Sequence, residues 1–235
     1  NAQLIGFLSS PGDSPRAAAL TNPLKDKEIF EWLDSLPSDA KVVYVAFGSH
    51  ISVPMWFTAQ VVVGVVAAAA DCYVLVSSKE LNMSAIEKEA PHIPLNELER
   101  RIRVERWVPQ RKLLGHNSIV LFVSHGGLSS VGEAVDATVP LLIIPFFADQ
   151  PRNAFLVQDA EVGLALRPLE MTVEKVNNHT WQILSNYGHF KRKIEKLKAV
   201  NELCGGRKRA AQLIDMHITY GSDHLINAGN RFSVV

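Results

Sequence analysis

No sign of charge is in excess: 24 Lys and Arg stand against 24 Asp and Glu, a formal net charge of zero over 235 residues. Binders of nucleic acid or anionic membrane draw affinity from surplus Lys and Arg, so this balance argues against both partners. Cysteine is nearly missing as well. Cys72 and Cys204 alone cannot build a disulfide framework, and a zinc site of the usual kind is not expected. The most apolar stretch, Val61-Val-Val-Gly-Val-Val-Ala-Ala-Ala-Ala70, is bracketed by Gln60 and Asp71. A membrane-spanning helix needs about 20 apolar residues, so a buried helix is the better reading. The N-terminus has no initiator Met, basic region or long apolar core, and does not read as a signal peptide. Internal repeats and low-complexity tracts are also lacking. Stability therefore rests on an apolar core.

What is present is an alternation of short apolar runs with helical segments. Residues 1–21 read as a linker, since Ser9-Ser-Pro-Gly-Asp-Ser-Pro15 is turn chemistry without periodicity. An α/β unit is expected over 22–219, and a polar tail over 220–235. Asn22-Pro23 predicts a helix start running to Leu36, with Ile29, Phe30, Leu33 and Leu36 at helical spacing. Val42–Phe47, Cys72–Val76, Ile102–Glu105, Ile119–Val123, Pro140–Ile144 and Val162–Leu166 predict six strands. Such continuously apolar, β-branched runs suit parallel strands buried on both faces. Helices are expected from Pro54 to about Ala70, after Gly127 to about Asp136, from Gln150, and throughout the chain after Thr172. The basic face at Lys191, Arg192, Lys193, Lys196 and Lys198 reads as solvated. The fold class is α/β, a Rossmann-like parallel sheet flanked by helices.

In such sheets ligands bind beyond the carboxyl ends of the strands, where helix N-termini also point. Three strand ends carry chemistry. His125-Gly-Gly-Leu-Ser-Ser130 combines two glycines that permit close backbone approach, a helix start with unpaired N–H groups, two hydroxyls and an imidazole. Those groups can hold a phosphate without a metal; a Gly turn with Ser N-caps is the bland alternative. Glu133, one turn further along, can accept hydrogen bonds from a diol, or be a surface carboxylate favoured by the helix dipole. Asp149-Gln150 can bind several sugar hydroxyls, or Asp149 can be an ordinary N-cap. There is no Gly-Lys-Ser/Thr of a Walker loop and no Gly-x-Gly-x-x-Gly after the first strand.

Trp107-Val-Pro-Gln110, Leu113-Leu114, His116, Phe122, His125-Gly-Gly, Ser130, Glu133, Pro140, Pro145 and Asp149-Gln150 together resemble the signature box of UDP-dependent glycosyltransferases, family one. The span Trp107–Gln150 is 44 residues, the length of the box in the plant members. Val43-Tyr-Val-Ala-Phe-Gly-Ser49 resembles the family strand and loop that approach the diphosphate. The resemblance covers about residues 22–200. It implies that Trp107 stacks on uracil, that Val108 reads the base edge, and that Gln110 and Glu133 hold the ribose. It likewise implies that Ser49, His125, Gly127, Ser129 and Ser130 contact the diphosphate, and that Asp149 and Gln150 contact the sugar. His116 reads as structural, capping the turn after Leu114. Two positions depart from the pattern. Ser129 stands where most members have Asn, and Thr138 where a Gly usually precedes Val-Pro, so the turn before Pro140 is expected to differ.

Family members are two-domain GT-B proteins that invert the anomeric centre. The acceptor domain carries a His general base oriented by an Asp, and the other domain binds the nucleotide sugar. The resemblance places this chain in the C-terminal, donor-binding half, with no catalytic residue of its own and the acceptor-binding domain as its missing partner. UDP-glucose or a similar UDP-sugar is the expected co-substrate, with no metal or other cofactor. The alternative is a complete subunit of a split transferase that recruits a separate acceptor polypeptide. Relatives are cytosolic or anchored in the endoplasmic reticulum membrane. Asn82-Met-Ser and Asn178-His-Thr match the acceptor sequon of N-glycosylation.

Overall fold

A computed structural model describes residues 23–48 and 52–221. Within them six strands form one sheet: β1 (Lys41–Ala46), β2 (Cys72–Ser77), β3 (Ile102–Glu105), β4 (Ile119–Ser124), β5 (Leu141–Ile143) and β6 (Gly163–Ala165). Their order is β3-β2-β1-β4-β5-β6, and every pairing is parallel. The six apolar runs are thus the six strands, each within two residues of its expected limits. The α/β, Rossmann-like expectation is borne out.

Residues along β1 alternate between two cores, as a pleated strand requires. Val43 and Val45 join one cluster; Val42, Tyr44 and Ala46 join the other. The first core is covered by α2 (Met55–Ala68), α3 (Met83–Glu89), α4 (Leu95–Arg101) and α8 (Val173–Ser185). The second is covered by α1 (Pro23–Ser35), α5 (Gln110–Leu114), α6 (Leu128–Ala137), α7 (Gln150–Asp159) and α9 (Tyr187–Leu203). Helix α10 (Gly206–Tyr220) follows and buries none of its residues. Helix α2 is buried around most of its circumference, Phe57 through Val66, as its uniformly apolar run anticipates. Gly64 within it faces α8: a Cβ there would lie 2.7 Å from both Val173 O and Val176 Cβ.

Three short helices, α3, α4 and α5, were not legible in the sequence. Each has five to seven residues, too few for a 3.6-residue period to repeat. Local capping holds α3, with Asn82 Oδ1 accepting from Ala85 N at 3.0 Å. One residue of the supposed solvated face corrects that reading. Lys191 donates Nζ to Thr138 O at 2.8 Å and to Thr138 Oγ1 at 2.6 Å, and burial lowers its pKa. Thr138 ends α6 in the left-handed region, φ 56°, where a β-branched residue is strained. The ammonium of Lys191 satisfies the carbonyl of that turn. The second sequon is divided by burial: Asn178 is exposed, whereas Thr180 is fully buried in α8. Residues 1–22 and 222–235, and with them nearly all of the expected linker and tail, lie outside the described residues.

Candidate functional site

The strand order reverses between β1 and β4, and the crevice beyond their carboxyl ends is where an open α/β sheet takes a ligand. A cleft of about 740 Å³ opens there. The ends of β1 and β2, the turn through Trp107–Gln110, and the start of α6 supply its walls. Trp107, Val108, Gln110, His125, Gly127, Ser129, Ser130 and Glu133 all line it. Ser49, expected at the diphosphate, lies outside the described residues, although Gly48 and Ser52 on either side line the same cleft.

Glycines determine where the His125 ring sits. A Cβ on Gly127 would lie 2.6 Å from His125 Nε2, and one on Gly48 would lie 2.9 Å from Cε1. The imidazole is therefore packed against two stretches of backbone. Gly126 is glycine for another reason. Its φ is +83° and a Cβ there would meet Ile143 Cγ2 at 2.6 Å, while Ser124 Oγ accepts from its N–H at 3.2 Å. Helix α6 opens with Val131 N–H to Gly127 O at 3.0 Å, so the amides of Leu128, Ser129 and Ser130 have no partner inside the helix. Gly127 occupies the N-cap position without a side-chain cap, so the Ser N-cap reading of this segment does not hold. The N-terminus of α6 is left facing the cleft with its positive dipole end.

Beside it, Gln110 heads α5 and Glu133 lies one turn into α6. Gln110 Nε2 donates to Glu133 Oε2 at 2.7 Å and to Ser130 Oγ at 3.2 Å. Two residues expected to share a ligand diol are thus already bonded to each other, which orients the carboxylate. Trp107 is half-buried, with its Nε1 enclosed and without a hydrogen-bond partner, and Val108 beneath it is buried. Arg111 pairs with Asp136 at 3.1 Å.

Asp149 and Gln150 do not line this cleft. Gln150 is buried, and its Oε1 accepts from Phe146 N at 2.8 Å and Phe147 N at 3.2 Å. Asp149 is exposed and makes no side-chain cap to α7, so the N-cap reading fails. Its Oδ2 instead accepts from Asn153 Nδ2 at 2.7 Å. The same Asn153 amide donates to Gly126 O at 2.8 Å, tying the Asp149 loop to the His-Gly-Gly turn. Sequence reasoning passed over Asn153, which links these two segments. It follows Asp149 by one helical turn, the spacing at which side chains on a helix meet. Tyr44 and Gly48 were passed over also. His116 is structural, as expected: its backbone closes the turn after Leu114, Nδ1 bonds Ser118 Oγ at 2.8 Å, and Nε2 reaches Asp34 Oδ1 at 3.1 Å. Among the described residues no cluster of His, Cys, Asp and Glu could hold a metal ion, and no helix is long and apolar enough to cross a membrane.

Comparison with known proteins bears on this site. Residues 19–202 match the family described as UDP-glucoronosyl and UDP-glucosyl transferase. A UDP-glycosyltransferase of Talaromyces amestolkiae is 30% identical over 196 residues, covering 77% of this chain and 37% of the relative. The chain spans about two fifths of the length of the curated relatives it matches. Among solved structures, Medicago truncatula UGT71G1 complexed with UDP-glucose aligns with a TM-score of 0.67 and 25% identity. That alignment covers 83% of this chain and 43% of the other. Os79 from O. sativa in complex with UDP aligns with a TM-score of 0.62 and 22% identity, over 76% of this chain and 38% of the other, a likeness of fold.

Proposed function

The chain belongs to the UDP-glucoronosyl and UDP-glucosyl transferase family, and from that premise we propose that it is the donor-binding part of an inverting glycosyltransferase. It binds UDP-glucose or a similar UDP-sugar. The carrying observation is convergence. Trp107, the Gln110–Glu133 pair, His125 and the N-terminus of α6 come from separate segments yet line one cleft at the strand-order reversal. The UDP-glucose complex of the Medicago truncatula relative supports the same ligand class.

In this reading uracil stacks on the Trp107 indole, with backbone of Val108 at the base edge. Ribose hydroxyls donate to Glu133, which Gln110 orients. The diphosphate lies against His125, Gly127, Ser129 and Ser130, and the partial positive charge of the helix N-terminus favours it. The glycosyl unit extends toward Asp149 and Gln150, which Asn153 links to the diphosphate turn. The acceptor hydroxyl attacks the anomeric carbon from the side opposite UDP. A carbon–oxygen bond to the acceptor forms as the bond to the β-phosphate oxygen breaks, and the electron pair leaves on UDP. Fixed donors around that oxygen stabilise the developing charge without reorganising at the moment of reaction. The acceptor's proton goes to a base in the acceptor-binding part, which lies in a separate domain. The UDP-sugar is a co-substrate, and no step requires a metal.

Two measurements on the 235-residue chain test this. Titration calorimetry is expected to show UDP binding, and a transfer assay with UDP-sugar and a simple phenolic acceptor is expected to show no turnover. A folded chain that does not bind UDP would overturn the proposal, and turnover would overturn the assignment of the base to another domain.

A further inference from the structure

We infer that Tyr44 is a positioning residue for ribose recognition, acting through Gln110 on the carboxylate of Glu133. The inference rests on the donor-binding reading above. Tyr44 lies near the carboxyl end of β1, fully buried, with its ring stacked on Phe122 of β4 at 4.8 Å and 19°. Its hydroxyl donates to Gln110 Oε1 at 3.3 Å. Gln110 Nε2 in turn donates to Glu133 Oε2 at 2.7 Å and to Ser130 Oγ at 3.2 Å.

The direction of this chain of bonds follows from donor inventory. An ionised carboxylate only accepts, so the amide must present its NH₂ to Glu133. Its oxygen is then turned back toward the sheet, where it meets a phenol that can donate. Each bond determines the next, from a buried tyrosine to a carboxylate in the cleft wall. Glu133 Oε2 is occupied by the amide, which leaves Oε1 to accept from a ligand diol. Burial raises the pKa of the Tyr44 phenol, with a smaller opposing effect from the Ser77 hydroxyl, so it remains a donor throughout the neutral range. Without that hydroxyl the amide oxygen would face an apolar ring. The amide could then turn, and the orientation of Glu133 would be lost.

The test compares UDP with 2′-deoxy-UDP, which lacks one of the diol hydroxyls. On the 235-residue chain, calorimetry is expected to show a preference for UDP. Tyr44→Phe keeps the ring and its stacking, and should reduce that preference by about 2- to 10-fold, the worth of one hydrogen bond. A Gln110→Ala variant should lose a similar share, and adding Tyr44→Phe to it should change the preference no further. That coupling is a readout that a merely structural tyrosine would not move. An unchanged preference in Tyr44→Phe overturns the inference, as does an equal loss for both ligands or a further loss in the Gln110→Ala background. If the wild-type chain binds UDP without distinguishing the deoxy analogue, the ribose contact at Glu133 and the inference fall together while the UDP-binding reading stands. If it does not bind UDP at all, the donor reading falls and takes the inference with it.

Discussion

The ring of His125 occupies the space that Gly127 leaves by having no side chain: a Cβ on Gly127 would lie 2.6 Å from Nε2. Gly48 bounds the same ring, since a Cβ there would lie 3.0 Å from Nε2. The imidazole is held by backbone near the N-terminus of α6, and its placement depends on two positions far apart in the chain.

Gly127→Ala separates ring placement from folding. Its backbone, φ −60° and ψ 140°, suits any residue, so the fold should persist while the ring shifts. UDP affinity should fall by about 1.5–3 kcal/mol, the range for a hydrogen bond to a charged group, with uridine binding unchanged. Calorimetry with both ligands decides it, and equal losses would remove His125 from the diphosphate. Gly126→Ala is the contrast. Its positive φ and the contact with Ile143 predict a loss of stability instead, seen as a lower urea midpoint.

Trp107→Ala should weaken uridine and UDP alike, by about 1–3 kcal/mol, the value of stacking a base on an aromatic. Trp107→Phe should retain part of it. Unchanged uridine affinity in the alanine variant would show that the indole wall of the cleft is not the base platform.

Arg101 supports the sheet behind the cleft. It is buried, and its guanidinium donates to Cys72 O at 2.9 Å, to Val66 O at 2.7 Å and to Ala69 O. Two of these carbonyls lie at the C-terminal end of α2, where the helix ladder leaves acceptors unpaired. Arg101→Met should destabilise the chain by about 2–4 kcal/mol, since buried acceptors lose their donor. Chemical denaturation measures this, and UDP affinity of the folded fraction should be unaltered.

Lys41 and Asp71 join the start of β1 to the residue before β2, Nζ to Oδ2 at 2.8 Å. The hydrogen bond to Asp71 raises the pKa of Lys41, and the hydrogen bond to Lys41 lowers that of Asp71. The carboxylate's contribution is therefore present above its unfolded value, ~3.9, and is lost as pH falls through its lower folded value. The ammonium's contribution is present below its unfolded value, ~10.4, and is lost as pH rises through its higher folded value. Both side chains are nearly half exposed, so solvent screening holds the pair to about 0.2–1 kcal/mol. The stability difference between wild type and Asp71→Asn should be flat from about pH 5 to 9 and vanish at both extremes. A difference that persists at pH 2 would assign it to something other than the pair.

Much of this molecule was legible in its residue order. The six strands are contiguous apolar runs because parallel strands under helices on both sides need no polar face. Of the cleft-lining residues, His125, Ser129, Ser130 and Glu133 stood out because they sit together at one strand end, Trp107, Val108 and Gln110 came from the family resemblance, and Tyr44 and Gly48 were passed over. Short helices escaped because five to seven residues cannot display a period. The pairing of Tyr44 with Gln110 escaped because 66 positions separate them, and their meeting depends on strand register, which sets Tyr44 opposite Phe122 on β4. The role of Gln150 as acceptor for the amides of Phe146 and Phe147 escaped as well, since the same two letters describe a sugar ligand equally well. Composition and spacing determined which chemistry the chain carries, because those depend on residue type and local periodicity. Only the folded sheet decided which donors are left over for a ligand, because every bond made across layers removes one, and no single segment contains both partners.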